Sequence, residues 1–136
     1  MIKQINKDTT LLSQKSTPAT PKDSQAITDL IDTLKSHQED CVGMAANMIG
    51  INKRIIAFQL GNMAIPMINP VIIKKSDSYD TEEGCLSLIG ERKTKRFKHI
   101  TVTYSDASFK PQKQDFSDFV AEIIQHEIDH LDGILI

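Results

Sequence analysis

DFSDFVAEIIQHEIDH, residues 115–130, decides how this chain is read. From Asp115 the apolar residues Phe116, Phe119, Val120, Ile123, Ile124, Ile128 and Leu131 recur at helical spacing. Stepping about 100° per residue places them on one broad arc. Glu127 falls near the middle of that arc, His130 lies inside it and His126 stands at one edge, whereas Glu122, Gln125 and Asp129 are expected to point away. A carboxylate in the centre of a buried face is costly unless it is paired or hydrogen-bonded. Polar chemistry is thus placed where packing alone would have used leucine. Histidines at i and i+4 share a helix face, so His126 and His130 can reach one metal ion, and the intervening glutamate can act on water held there.

Two imidazoles do not complete a metal site, and only LDGILI follows. Its one candidate ligand, Asp132, is expected on the opposite side of the helix from His130. A third ligand must therefore come from upstream. His37 and His99 stand in polar surroundings and read as surface residues. Cys85 follows an acidic stretch, with Gly84 allowing close backbone approach. Alone, Cys85 reads equally well as a buried structural thiol. Beside an incomplete site it reads as a thiolate, which with two imidazoles leaves a fourth position for water.

The rest of the chain is consistent with an ordinary protein of 136 residues, one domain over residues 1–136. It is 40% hydrophobic and 25% charged, and sixteen basic against eighteen acidic residues give a net charge of -2. That balance offers no electrostatic reason to expect nucleic acid or an anionic membrane as partner. No apolar run approaches a membrane span, and a cytoplasmic location is expected. In a reducing compartment Cys41 and Cys85 are not expected to form a disulfide.

Residues 24–37 carry Ala26, Ile27, Leu30, Ile31 and Leu34 at helical spacing and are expected to form an amphipathic helix. Gly43 and Gly50 flank a small-residue stretch that suits a loop or a short helical turn. Residues 54–60 and 64–69 read as strands around a Gly61-Asn62 turn, residues 76–83 as an acidic polar loop, and residues 99–104 as a half-buried strand. Strands gathered between two helices predict an α+β fold, with mixed or antiparallel sheets packed around the C-terminal metal-binding helix.

Three stretches in this order, CVGMAANM (41–48), EGCLS (83–87) and HEIDH (126–130), resemble the motifs of the peptide deformylase family. RIIAFQL, MINPVI and Arg96 ahead of HITVTYSD resemble the intervening strands, so the likeness spans nearly the whole chain. The resemblance implies that Cys85, His126 and His130 hold one divalent ion, Fe2+ or Zn2+. It implies that Glu127 is the general base and that the Leu86 backbone N–H stabilises the oxyanion. The substrate would be N-formylmethionyl peptides or nascent chains, met near the ribosome. Val42, Gly43, Leu86, Phe119 and Ile123 are candidates for binding the methionine side chain and the adjoining backbone, and ordinary core packing explains the apolar ones equally well.

The chain departs from the family pattern at two positions. Met48 stands where the family has a glutamine that donates to the oxyanion, and methionine has no donor. Losing one such donor typically lowers kcat by about 10²–10³. Asn47 is adjacent, but a one-residue offset aims its side chain elsewhere. Cys41 replaces a glycine beside the substrate backbone. The alternatives are a weak or inactive relative that binds metal and peptide amino termini, and an amidase acting on another acyl group. The oligomeric state is not legible in the sequence.

Overall fold

The structure is a computed structural model that describes residues 1–85 and 87–135. A single helical turn, α1 (Thr9–Leu12), precedes a Pro-led 3₁₀ turn (Pro21–Asp23) that runs into helix α2 (Ser24–Ser36). Five strands follow: β1 (Gly43–Ala45), β2 (Ile55–Leu60), β3 (Met63–Cys85), β4 (Leu88–Ser105) and β5 (Pro111–Ser117). The chain then enters helix α3 (Asp118–Leu131). The strands form one antiparallel sheet in the order β1-β2-β3-β4-β5, so chain neighbours are sheet neighbours throughout. The expected α+β architecture with a C-terminal helix is what the chain adopts.

Helix α2 buries Ala26, Ile27, Leu30 and Leu34. It packs on β1, β2 and β3. Helix α3 packs chiefly on β4, β1 and β2. Its Ala121, Ile123, Ile124, Ile128 and Leu131 join Met44, Phe58, Met67, Ile68, Ile100 and Val102 in one apolar cluster. Removing this surface from water supplies the main drive for docking both helices, about 25 cal/mol per Å² of apolar area.

Two expectations fail here, each for a physical reason. Residues 76–83 are strand, not loop: they form the outer half of β3, paired with β4 through Asp80↔Lys95, Glu82↔Lys93 and Glu83↔Arg92. Most of this ribbon is exposed, so no apolar alternation marks it. Opposite charges directly across an antiparallel pair favour the register instead. Helix α3 begins at Asp118 rather than Asp115, because residues 115–117 complete β5 against β4 through Thr101↔Asp115, Ile100↔Phe116 and His99↔Ser117. Phe116 therefore meets Phe58 edge-on from a strand, at 6.0 Å between ring centroids.

The stretch between Gly43 and Gly50 is neither plain loop nor plain helix. Gly43–Ala45 forms β1, and Ala46–Ile49 forms a 3₁₀ turn that ends on Gly50 at φ +81°. A side chain with a Cβ is strained at that φ, which glycine adopts freely.

Candidate metal centre

The end of β3 delivers Cys85, and α3 delivers His126 and His130 one turn apart. Ligand atoms from the three side chains lie within 4.8 Å of one another. The two Nε2 atoms are 3.1 Å apart and both rings are buried. The sequence expected this trio, and the fold brings it together across more than forty residues of chain.

The orientation of the rings comes from a second layer of polar groups. Glu83, in β3, accepts from His126 Nδ1 at 2.7 Å, which turns Nε2 of that ring inward. Arg96, in β4, donates to both oxygens of Glu83 and, through Nη1, to Asp129 of α3 at 2.6 Å. Burial works against the Glu83 carboxylate, but bonds from His126 and Arg96 hold its pKa down to about 2. A carboxylate behind a metal-binding imidazole fixes its tautomer and raises its basicity. Gln125 adds a mechanical clamp, accepting from the Phe97 N–H and donating to the Phe97 carbonyl.

Sequence reasoning misjudged this side of the helix. Gln125 and Asp129, expected to point away, and Glu122, which accepts from the Tyr79 hydroxyl at 3.0 Å, all face the β3–β4 ribbon. Periodicity finds apolar faces only. The signal available was Arg96 and Glu83, two charged residues that need buried partners once a ribbon lies over the helix.

The donor set fits a divalent cation on three counts. A thiol and two imidazoles converge, and the Ser87 N–H points at Cys85 Sγ from 3.4 Å, which fixes the sulfur in place. Burial, followed by the charge of His126, drives His130 down to about 3, so that ring is neutral as a ligand must be. Burial also pushes His126 down, but Glu127, Cys85 and Glu83 outweigh it and carry the ring up to about 10. A group of negative charges that draws a proton this firmly is equally suited to a cation.

Glu127 is 4% exposed, and its Oε1 has no hydrogen-bond partner among the described residues. Burial raises its pKa to about 7, with the His126 charge pulling the other way. Gly43 makes room for it: a Cβ there would sit 2.9 Å from Glu127 Oε2 and 2.6 Å from Ile123 Cγ2. Glu127, Cys85 and His126 open into a cavity of about 550 Å³ whose walls also include Val42, Gly43, Met48, Phe119 and Ile123. Leu86 lies outside the described residues.

The two departures from the family pattern are lodged in the same wall. Met48 is 1% exposed; its Sδ accepts from the Ala45 N–H at 3.4 Å and lies 3.9 Å from Cys85 Sγ. It can accept a hydrogen bond but offers none. Cys41, half-buried, donates its thiol to the Gly43 carbonyl at 2.9 Å, and burial pushes its pKa up to about 12. Asn47 does not stand in for the missing donor, because its Nδ2 bonds the His130 carbonyl at 2.7 Å.

Comparison with known proteins agrees with this architecture. The family model described as Polypeptide deformylase matches residues 2–136. The peptide deformylase of Clostridium beijerinckii is 60% identical over 136 residues, covering all of both chains. Peptide deformylase 3 of Shewanella oneidensis is 38% identical over 129 residues, covering 90% of this chain and 78% of its own. The crystal structure of peptide deformylase from Thermotoga maritima superposes with a TM-score of 0.88 at 29% identity, over 99% of this chain and 95% of the other. A class I type b peptide deformylase from Acinetobacter baumannii, solved with Met-Ala-Ser bound, gives 0.87 at 28% identity over 99% and 97%. This chain belongs to the peptide deformylase family.

Proposed function

We propose that this protein removes the formyl group from N-formylmethionine at the amino terminus of newly made polypeptides, in the cytoplasm and close to the ribosome. Cys85, His126 and His130 would hold the ion, Fe2+ or Zn2+, since one thiolate with two imidazoles suits either. When bound, the ion supplies Lewis acidity and brings the pKa of water towards neutrality. The observation that carries the reading is Glu127: a buried carboxylate with an oxygen unpartnered among the described residues, in the same cavity as Cys85 and His126 and with its pKa raised by burial to about 7.

Hydrolysis adds one water across the formyl C–N bond, releasing formate and a free amine. Glu127 takes a proton from the attacking water and returns it to the departing nitrogen, a role suited to a group that titrates near the working pH. Glu83, clamped by Arg96, holds His126 by Nδ1 and would keep its Nε2 free for the ion. Gly43 lets substrate backbone approach Glu127. Ile123 and Phe119 provide apolar wall for a methionine side chain, with Val42 at the rim, and the Leu86 N–H is assigned to the oxyanion. Met48 contributes no donor, so turnover is expected to be slow for a site otherwise so complete.

Anaerobically purified protein, analysed for metal and assayed for formate release from a formyl-Met peptide, tests the proposal. One equivalent of iron or zinc with formate released, and no release of acetate from the acetyl peptide, is expected. Metal content without turnover would instead favour a relative that binds peptide amino termini and does no chemistry.

A further inference from the structure

Strand β1 stands at one end of the sheet order, paired only with β2 among the described residues. The Gln59 N–H donates to the Val42 carbonyl at 2.8 Å, and Gly43 is opposite Phe58. In an antiparallel pair hydrogen-bonded positions alternate, so the backbone groups of Gly43 and Ala45 face away from β2. Two of these outward groups are occupied by sulfur: Cys41 Sγ at the Gly43 carbonyl and Met48 Sδ at the Ala45 N–H. Cys41, Val42, Gly43 and Met48 all line the cavity into which Glu127 presents a buried oxygen that is unpartnered among the described residues.

An open strand edge inside a binding cavity recruits an extended peptide through its backbone groups. We infer that the Cys41 thiol is a displaceable cap on the Gly43 carbonyl, which a peptide substrate must push aside to pair with β1, making Cys41 a determinant of substrate affinity. The inference deepens the proposed function and rests on peptide entering this cavity. A neutral thiol suits the role. It shields a carbonyl that would otherwise stand unsatisfied, yet a thiol is a weak donor and gives way to an amide N–H. The burial that raises the Cys41 pKa keeps it protonated and able to donate.

The chain has two cysteines. In the metal-loaded protein Cys85 is a thiolate, so the infrared S–H stretch reports Cys41 alone, and Cys41→Ser should abolish it. Saturating Met-Ala-Ser peptide should move the band to higher wavenumber as the thiol leaves the carbonyl. Cys41→Ala, which removes the donor, should lower KM for formyl-Met-Ala-Ser about three- to tenfold, the equivalent of one modest hydrogen bond. Cys41→Ser, whose hydroxyl is a stronger donor than the thiol, should leave KM no lower than the parent's. A band unmoved by saturating peptide, or a KM that the two substitutions shift alike, would overturn the cap. A band that moves in a protein releasing no formate would sink the proposed activity and leave the cap standing.

Discussion

On the α3 side of the cavity, His126, Glu83, Arg96 and Asp129 form one chain of charge-assisted hydrogen bonds, whereas on the β1 side the contacts at Gly43 and Ala45 run through sulfur. The first wall is stiff: Glu83 and Arg96 are each held by two partners, and ionic hydrogen bonds are roughly twice as strong as neutral ones. The second wall is soft, because thioether and thiol are weak partners for backbone groups. The pair separates two requirements of such a site. Gathering a cation and a base needs fixed, dense charge. Stabilising a developing oxyanion needs a donor aimed into the cavity, and Met48 fails only there.

The comparison breaks most decisively at Glu127. Replacing it by Gln keeps the shape and removes the proposed base, so kcat should fall about a thousandfold, within the range for general base catalysis. Metal content should be unchanged by elemental analysis. A large loss of metal instead would mean that Glu127 belongs to the stiff wall's binding function.

Next in size is Glu83→Ala, which unlocks His126 and leaves the buried Arg96 with Asp129 alone. Metal affinity measured by chelator competition should weaken about 10–100-fold. Unfolding should become easier by about 1–3 kcal/mol, since Arg96 keeps Asp129 but loses its buried bonds to Glu83. An intact affinity would show that the thiolate and rings are positioned without the carboxylate.

Met48→Gln probes the soft wall directly. Returning a donor to the position should raise kcat on a formyl-methionyl peptide by about tenfold or more. If the substituted protein is no faster, the missing donor does not limit turnover. The smallest effect is expected from Ile123→Phe. It should cut kcat/KM several-fold for substrates with large first side chains and less for small ones, about 1 kcal/mol of discrimination. An equal loss across substrates would remove Ile123 from the side-chain pocket.

Legibility in the sequence followed the nature of each interaction. The apolar arc of α3 was readable because burial of Ile124, Ile128 and Leu131 imposes a helical period. The phase of that arc also exposed Glu127 and His130 as polar residues in an apolar setting. The β3–β4 ribbon was not readable, because its residues pair by opposite charge across strands and carry no inward alternation. Since Gln125 and Asp129 bond to that ribbon, their inward role was hidden with it. The early start assigned to α3 has a similar origin: Phe116 fits a helical period but is held by its register with Ile100.

By itself the amino-acid order determined the residue types of the candidate ligands, the helical spacing of the two histidines and the absence of a side-chain donor at position 48. These are local properties: spacing on one helix and the functional groups of single residues need no partner to be known. The tertiary structure alone decided which atoms meet across the chain. It set Glu83 behind His126, Arg96 between Glu83 and Asp129, and the sulfurs of Cys41 and Met48 on the outer edge of β1. Such contacts depend on strand register and on the docking of α3 over the sheet, which the core cluster fixes collectively and no single stretch encodes.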